Sequence, residues 1–172
     1  MKDKAFCILF AGAVGTSKTP IAHYLSVHLG LPIFSTDAIR SEVREDTGKA
    51  ELDLDIFIPL KENRFKEIVA RGRSFIFDAS IDRHWDEIKA ELAKKKYRWF
   101  IISMDLSHKF IKRLYEIKNY QESIERLDQL ITDHNNFLAQ NEAEVGFCIN
   151  DSNFPDRLEM ALQAASKFVG KK

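Results

Sequence analysis

The sequence predicts an α/β protein in which a five-stranded parallel sheet is covered by helices on both faces. Three observations predict it. Five short apolar runs alternate with helix-periodic segments along the 172 residues, the pattern of strands joined by crossover helices. A glycine-rich turn from Phe10 to Pro20 (FAGAVGTSKTP) lies where the first run gives way to the first helical segment. Acidic residues, Asp37 and Asp78, close the second and third runs, on the edge where open parallel sheets take their ligands.

The elements follow in order. Residues 5–11 read as the first strand, and a helix begins near Lys18 with Ile21, Leu25 and Leu29 at helical spacing until Gly30 stops it. A short strand over 31–34 leads to Ser35 or Thr36, either of which caps a helix over 37–45. The helical stretch 54–70 carries Pro59, which is expected to kink or divide it. A third strand over 74–77 ends at Asp78, and 82–96 read as one helix with Trp85, Ile88 and Leu92 on one face. Residues 97–104 make the fourth strand. Two polar helices, 107–117 and 122–138, precede a fifth strand over 145–149 and a closing helix over 155–169. No linker or repeat divides the chain, so residues 1–172 read as one domain.

Composition narrows the class of function. Lys plus Arg equals Asp plus Glu, 26 each, so no overall field draws the chain to nucleic acid or an anionic membrane. A nucleic-acid acceptor is not indicated by charge, though a local basic cleft is compatible with one. The apolar runs fall well short of the ~18 residues of a membrane span. The charged and then apolar amino terminus runs straight into the glycine turn and reads as a strand, not a leader. Cys7 and Cys148, without CxxC spacing, read as two small buried hydrophobes in a reduced, cytoplasmic setting. A monomer or homodimer is expected.

The turn carries the chemistry. The pattern GxxxxGK[ST] aims successive N–H groups and a helix N-terminus at a phosphate, with Lys on the β and γ oxygens and Ser/Thr on magnesium. Gly12, Ala13, Val14, Gly15, Thr16, Ser17, Lys18 and Thr19 occupy its eight positions. Ser17 stands where the second glycine belongs; a side chain there can crowd a phosphate, and serine is the small residue expected to be best tolerated. In the segment STDAIR, Asp37 and Arg40 are three apart and share a helix face. A carboxylate so placed accepts a hydroxyl proton while the guanidinium holds a polar or anionic substrate. In FIFDAS, Asp78 follows an apolar strand in the position of a magnesium-organising acid, and Arg83 lies within reach of the same crevice.

These residues, Gly12 to Thr19 followed by STDAIR, resemble the P-loop kinase group that includes the kinase domains of polynucleotide kinases, zeta-toxin-like kinases and chloramphenicol phosphotransferase. The resemblance implies a three-layer P-loop fold of adenylate-kinase-like sheet order 2-3-1-4-5, with a helical lid near residues 107–140. It further implies Asp37 as general base or substrate anchor and Arg40 as a substrate contact. Lid cations neutralise charge on the transferring phosphoryl group, and Arg113 and Arg126 are the candidates. The reading is therefore a small ATP- and Mg2+-dependent kinase. Lys18 and Asp37 carry catalysis, and Thr19 and Asp78 hold the metal. Asp37, Arg40, Asp78 and Arg83 hold a hydroxyl on a small molecule, nucleoside or nucleic-acid end. The alternatives are a nucleoside monophosphate kinase, for which residues 78–83 lack a DGxPR-like element, and a degenerate nucleotide-binding protein, suggested by Ser17.

Overall fold

A computed structural model describes residues 4–170. β1 (Phe6–Ala11) is its central strand, and its side chains alternate between two cores. Phe6, Ile8 and Phe10 face one cluster, shared with α1 (Lys18–Leu29) and α8 (Arg157–Val169). Cys7, Leu9 and Ala11 face the other, shared with α2 (Thr36–Thr47), α3 (Leu54–Ala70) and α4 (Trp85–Lys94). An all-apolar strand buried on both faces is what a parallel sheet between two helix layers requires. β2 (Ile33–Ser35), β3 (Phe75–Ser80), β4 (Arg98–Met104) and β5 (Val145–Ile149) complete the sheet in the order 2-3-1-4-5, every pairing parallel.

The sheet splays where the cleft opens. Leu9 pairs with Phe77 but Phe10 pairs with Ser80, so Asp78 and Ala79 bulge from the β1 side while Asp78 stays in register with Ser35 of β2. That irregularity frees the carboxyl end of β3 beside the glycine turn.

Four expectations are corrected. The helix read over 82–96 begins only at Trp85, because the Asp82 carboxylate is engaged by the Gly12 N–H and by His134. Pro59 does not divide α3, which runs unbroken from Leu54 to Ala70. The helix read over 122–138 is two, α6 (Gln121–Glu125) and α7 (Leu127–Asn141), parted at Arg126 where Leu127 turns into the core. Cys7 is buried but Cys148 is exposed, since β5 is an edge strand with one face uncovered. The Ser35 cap is as expected, its hydroxyl accepting from the Ala38 N–H at 3.3 Å. No helix among the described residues is long and apolar enough to cross a membrane.

Candidate active site

The turn between β1 and α1 is held from outside by the side chains around it. Lys18 Nζ donates to the carbonyls of Gly12, at 2.8 Å, and Ala13. Tyr115, on α5 (His108–Lys118), donates its hydroxyl to Val14 O at 2.6 Å, and Lys118 reaches Gly15 O at 2.5 Å. With these carbonyls engaged, the N–H groups of Gly15, Ser17, Lys18 and Thr19 are left without a protein acceptor among the described residues. An open row of N–H groups at a helix N-terminus is an anion-binding cradle.

Two glycines set its shape. Gly12 has φ +120°, and a Cβ there would stand 2.7 Å from Met104 Cβ. Gly15 has φ +73°, and a Cβ would meet the Tyr115 and Tyr120 rings at 3.0 Å. Ser17 also lies in the left-handed region, φ 80°, which explains why glycine suits that position. Its hydroxyl is not free to crowd a ligand: it accepts from Nε of Arg157 at 2.7 Å, and that guanidinium stacks over Phe154 at 4.3 Å.

Behind the turn runs a buried polar string. The Gly12 N–H donates to both Asp82 oxygens at 3.0 Å. His134 Nδ1 lies 3.2 Å from Asp82 Oδ1, and its Nε2 lies 3.2 Å from Ser103 Oγ. A tautomer with the proton on Nδ1 satisfies both contacts, leaving Nε2 to accept from the serine. Although the sequence of groups is that of a hydrolase triad, Ser103 is 0% exposed and meets no substrate, so the string anchors the turn.

On the cleft side, Thr19 Oγ1 donates to Asp78 Oδ1 at 3.1 Å. Burial raises the Asp78 pKa, opposed by the Thr19 bond and reinforced by the charge of Asp37. Burial also draws the Lys18 ammonium down to about 8, against the pull of Asp82, Asp78 and Asp37. Among the described residues no three His, Cys, Asp or Glu side chains cluster as a protein cage for a metal. One carboxylate and one hydroxyl beside an anion-binding cradle would fit Mg2+, an ion that keeps most of its waters and takes few protein ligands.

The cleft encloses about 780 Å³ and brings together Gly12 to Gly15, Ser17, Lys18, Thr19, Asp37, Arg40, Asp78 and Arg83. Thr16 is left out: it is fully buried, and its hydroxyl donates to Ala13 O at 2.8 Å. Asp37 and Arg40 form an exposed pair at 3.1 Å, while Arg83 sits 3.6 Å from Asp133. Arg113 and Arg126 are exposed and do not line the cleft; the α5 residue that does is Lys118, with Tyr120 beside it. Reading the sequence also missed Asp82, whose clue was a second acid four residues beyond Asp78. Arg157 was missed too, and it has no local signal at all, 140 residues from its partner.

No family model matches the chain, and no curated protein matches it. Solved structures do. A protein of Chloroflexus aurantiacus described as a kinase superposes with TM-score 0.69 at 15% identity, over 99% of this chain and 98% of that one. A gluconokinase from Sinorhizobium meliloti gives 0.64 at 13%, over 95% and 93%. A structure from the PezAT toxin–antitoxin system of Streptococcus pneumoniae gives 0.66 at 15%, over 88% and 70%. The chain shares its fold with these proteins.

Proposed function

We propose that the protein is an ATP- and magnesium-dependent kinase that phosphorylates an alcohol. The observation that carries this reading is the 3.1 Å bond from Thr19 to Asp78, because it joins the end of the phosphate cradle to the end of β3 next to Lys18. That meeting is where a magnesium ion on a bound nucleotide would be held. The cradle N–H groups and Lys18 bind the β- and γ-phosphates, and Thr19 and Asp78 hold Mg2+, which supplies charge neutralisation on the phosphate oxygens. The acceptor oxygen attacks the γ-phosphorus as the bond to the β–γ bridging oxygen breaks, and ADP leaves. Asp37 orients the acceptor hydroxyl and takes its proton, and Arg40, 3.1 Å away, fixes the direction of that carboxylate. Lys118, at the lip of the turn, is the lid-side cation of this reading in place of the two arginines.

Kinase similarity among the solved structures supports the class of reaction, and the sparse metal ligands suit Mg2+. The chain is placed in the cytoplasm on the same reading. The test is calorimetric titration with magnesium-ATP of wild type and Lys18→Ala, followed by γ-phosphate transfer to an acceptor panel. We expect wild type to bind and Lys18→Ala to lose at least about tenfold in affinity, the scale of a charge-assisted phosphate contact. Binding without transfer to any acceptor would favour the degenerate nucleotide binder, and no binding at all would overturn the kinase reading.

A further inference from the structure

The cleft extends beyond the phosphate turn along a wall made by β2, β3 and α3, and this wall is aromatic. Phe34 and Phe77 stack at 5.4 Å, and Phe65 stands edge-on to Phe77 at 5.3 Å. Phe57, one turn before Lys61 and two before Phe65 on α3, continues the same wall. Such rings offer no hydrogen bonds to a polyol, whose hydroxyls would be stripped of water without replacement. Phe65 is half-buried, and Phe34, Phe57 and Phe77 reach the cleft with only 4–5% of their surface, so together they give the cleft an apolar wall without hydrogen-bonding groups.

Five acids on the cleft meet a basic side chain, Lys18 and Lys118 donate to backbone carbonyls, and Lys61 stands apart from both groups. Asp37 meets Arg40 at 3.1 Å, Glu62 meets Lys66 at 4.0 Å, and Asp133 meets Arg83 at 3.6 Å. Glu91 meets Lys94 at 2.6 Å, and Glu87 lies 3.5 Å from His84. Lys61 has no carboxylate or carbonyl partner among the described residues; its ammonium rests 5.9 Å from the Phe57 ring centroid. Arg40 approaches the same ring, its guanidinium carbon 5.3 Å from the centroid. Two cations thus approach one ring of the cleft wall, and of the two only Arg40 has its own counter-ion.

We infer that the acceptor is a flat, apolar alcohol carrying an anionic group, bound with its ring on the Phe34–Phe57–Phe65–Phe77 wall and its anion on Lys61, assisted by Arg40. This rests on the kinase reading for the direction of the hydroxyl, but the subsite itself does not depend on turnover. A carboxylate and a phosphate share the required chemistry, and the probes separate them.

The experiment is ligand-observed NMR titration of the protein, with and without a non-hydrolysable magnesium-ATP analogue. The probes are 4-(hydroxymethyl)benzoate, 4-(hydroxymethyl)phenyl phosphate, benzyl alcohol and D-gluconate. We expect one or both aromatic anions to bind at least about tenfold more tightly than benzyl alcohol and gluconate, the size of one charge-assisted contact. Lys61→Gln should remove the preference for the anion over benzyl alcohol, and Lys61→Arg should keep it. Phe57→Leu should weaken both aromatic classes. Gluconate binding as well as the aromatic anions, an unchanged preference in a folded Lys61→Gln, or no binding by any aromatic probe would each overturn the inference. Failure of the ATP analogue to bind while the aromatic anions bind would instead overturn the kinase reading and leave this subsite standing.

Discussion

Ser17 shows how one residue can break a pattern and keep the geometry the pattern encodes. A left-handed backbone at a residue with a Cβ costs on the order of 1–2 kcal/mol. The 2.7 Å bond from Arg157, a charged donor on a half-buried guanidinium, offsets part of that cost, at about 1 kcal/mol after allowance for its exposure. The two effects oppose each other, so Ser17→Gly should shift unfolding free energy by less than about 1 kcal/mol. Arg157→Ala in wild type, which leaves the strain uncompensated, should cost about 1 kcal/mol. In the Ser17→Gly background the same Arg157→Ala change should cost less, and equal costs in both backgrounds, measured by chemical denaturation, would show the pair to be uncoupled. The sequence exposes Ser17 as a departure at once. It cannot show Arg157 as the compensation, because nothing local connects a helix start near the carboxyl end to the first turn of the chain.

At the scale of elements, α5 acts as a splint for the glycine turn between β1 and α1. Its last two turns present Tyr115 and Lys118 to consecutive carbonyls, Val14 and Gly15. Burial raises the Tyr115 hydroxyl to about 12, so it stays protonated and donating across the working pH range. Tyr115→Phe leaves Val14 O unmet, and we expect a loss of about 1 kcal/mol in stability. A severalfold weakening of nucleotide binding should accompany it, because the turn gains freedom that binding must then remove. Unchanged nucleotide affinity would mean that the splint does not shape the cradle. Reading residues 107–117 as a polar helix locates this element and names Arg113 among its cations as a lid candidate. Which of them meets the turn depends on helix rotation: Lys118 faces it, while Arg113 faces solvent.

For the whole molecule, the testable consequence is a dependence on pH. Lys18 has an ordinary value of 10.5 and is drawn to about 8 by burial. Below about pH 8 the group is charged whether folded or unfolded and contributes no slope. Between about 8 and 10.5 the unfolded chain holds the extra proton, so the stability of the nucleotide-free protein should rise with pH across that window. Nucleotide affinity should move the other way, falling about tenfold per unit above pH 8 as the ammonium is lost. Asp78, raised by burial, should lose its charge at a higher pH than an ordinary carboxylate, so magnesium dependence should fade early on acidification. Calorimetry and denaturation across this range read both effects, and affinity that is flat from pH 7 to pH 10 would remove Lys18 from the phosphate contact. What the sequence alone determined is the sheet between two helix layers and the cradle, because strand and helix periods and the spacing of the glycine turn are local properties carried by neighbouring residues. Five apolar runs alternating with helices already predict the layers, and Gly12, Lys18, Thr19 and Asp78 are legible in one dimension. Tertiary structure alone decided that Arg157 holds Ser17, that Asp82 and His134 anchor Gly12, that Lys118 and not Arg113 or Arg126 meets the turn, and that Lys61 stands unpaired on an aromatic wall. Each of those depends on the direction of a side chain between elements far apart in the chain, which hydrophobic periodicity does not encode.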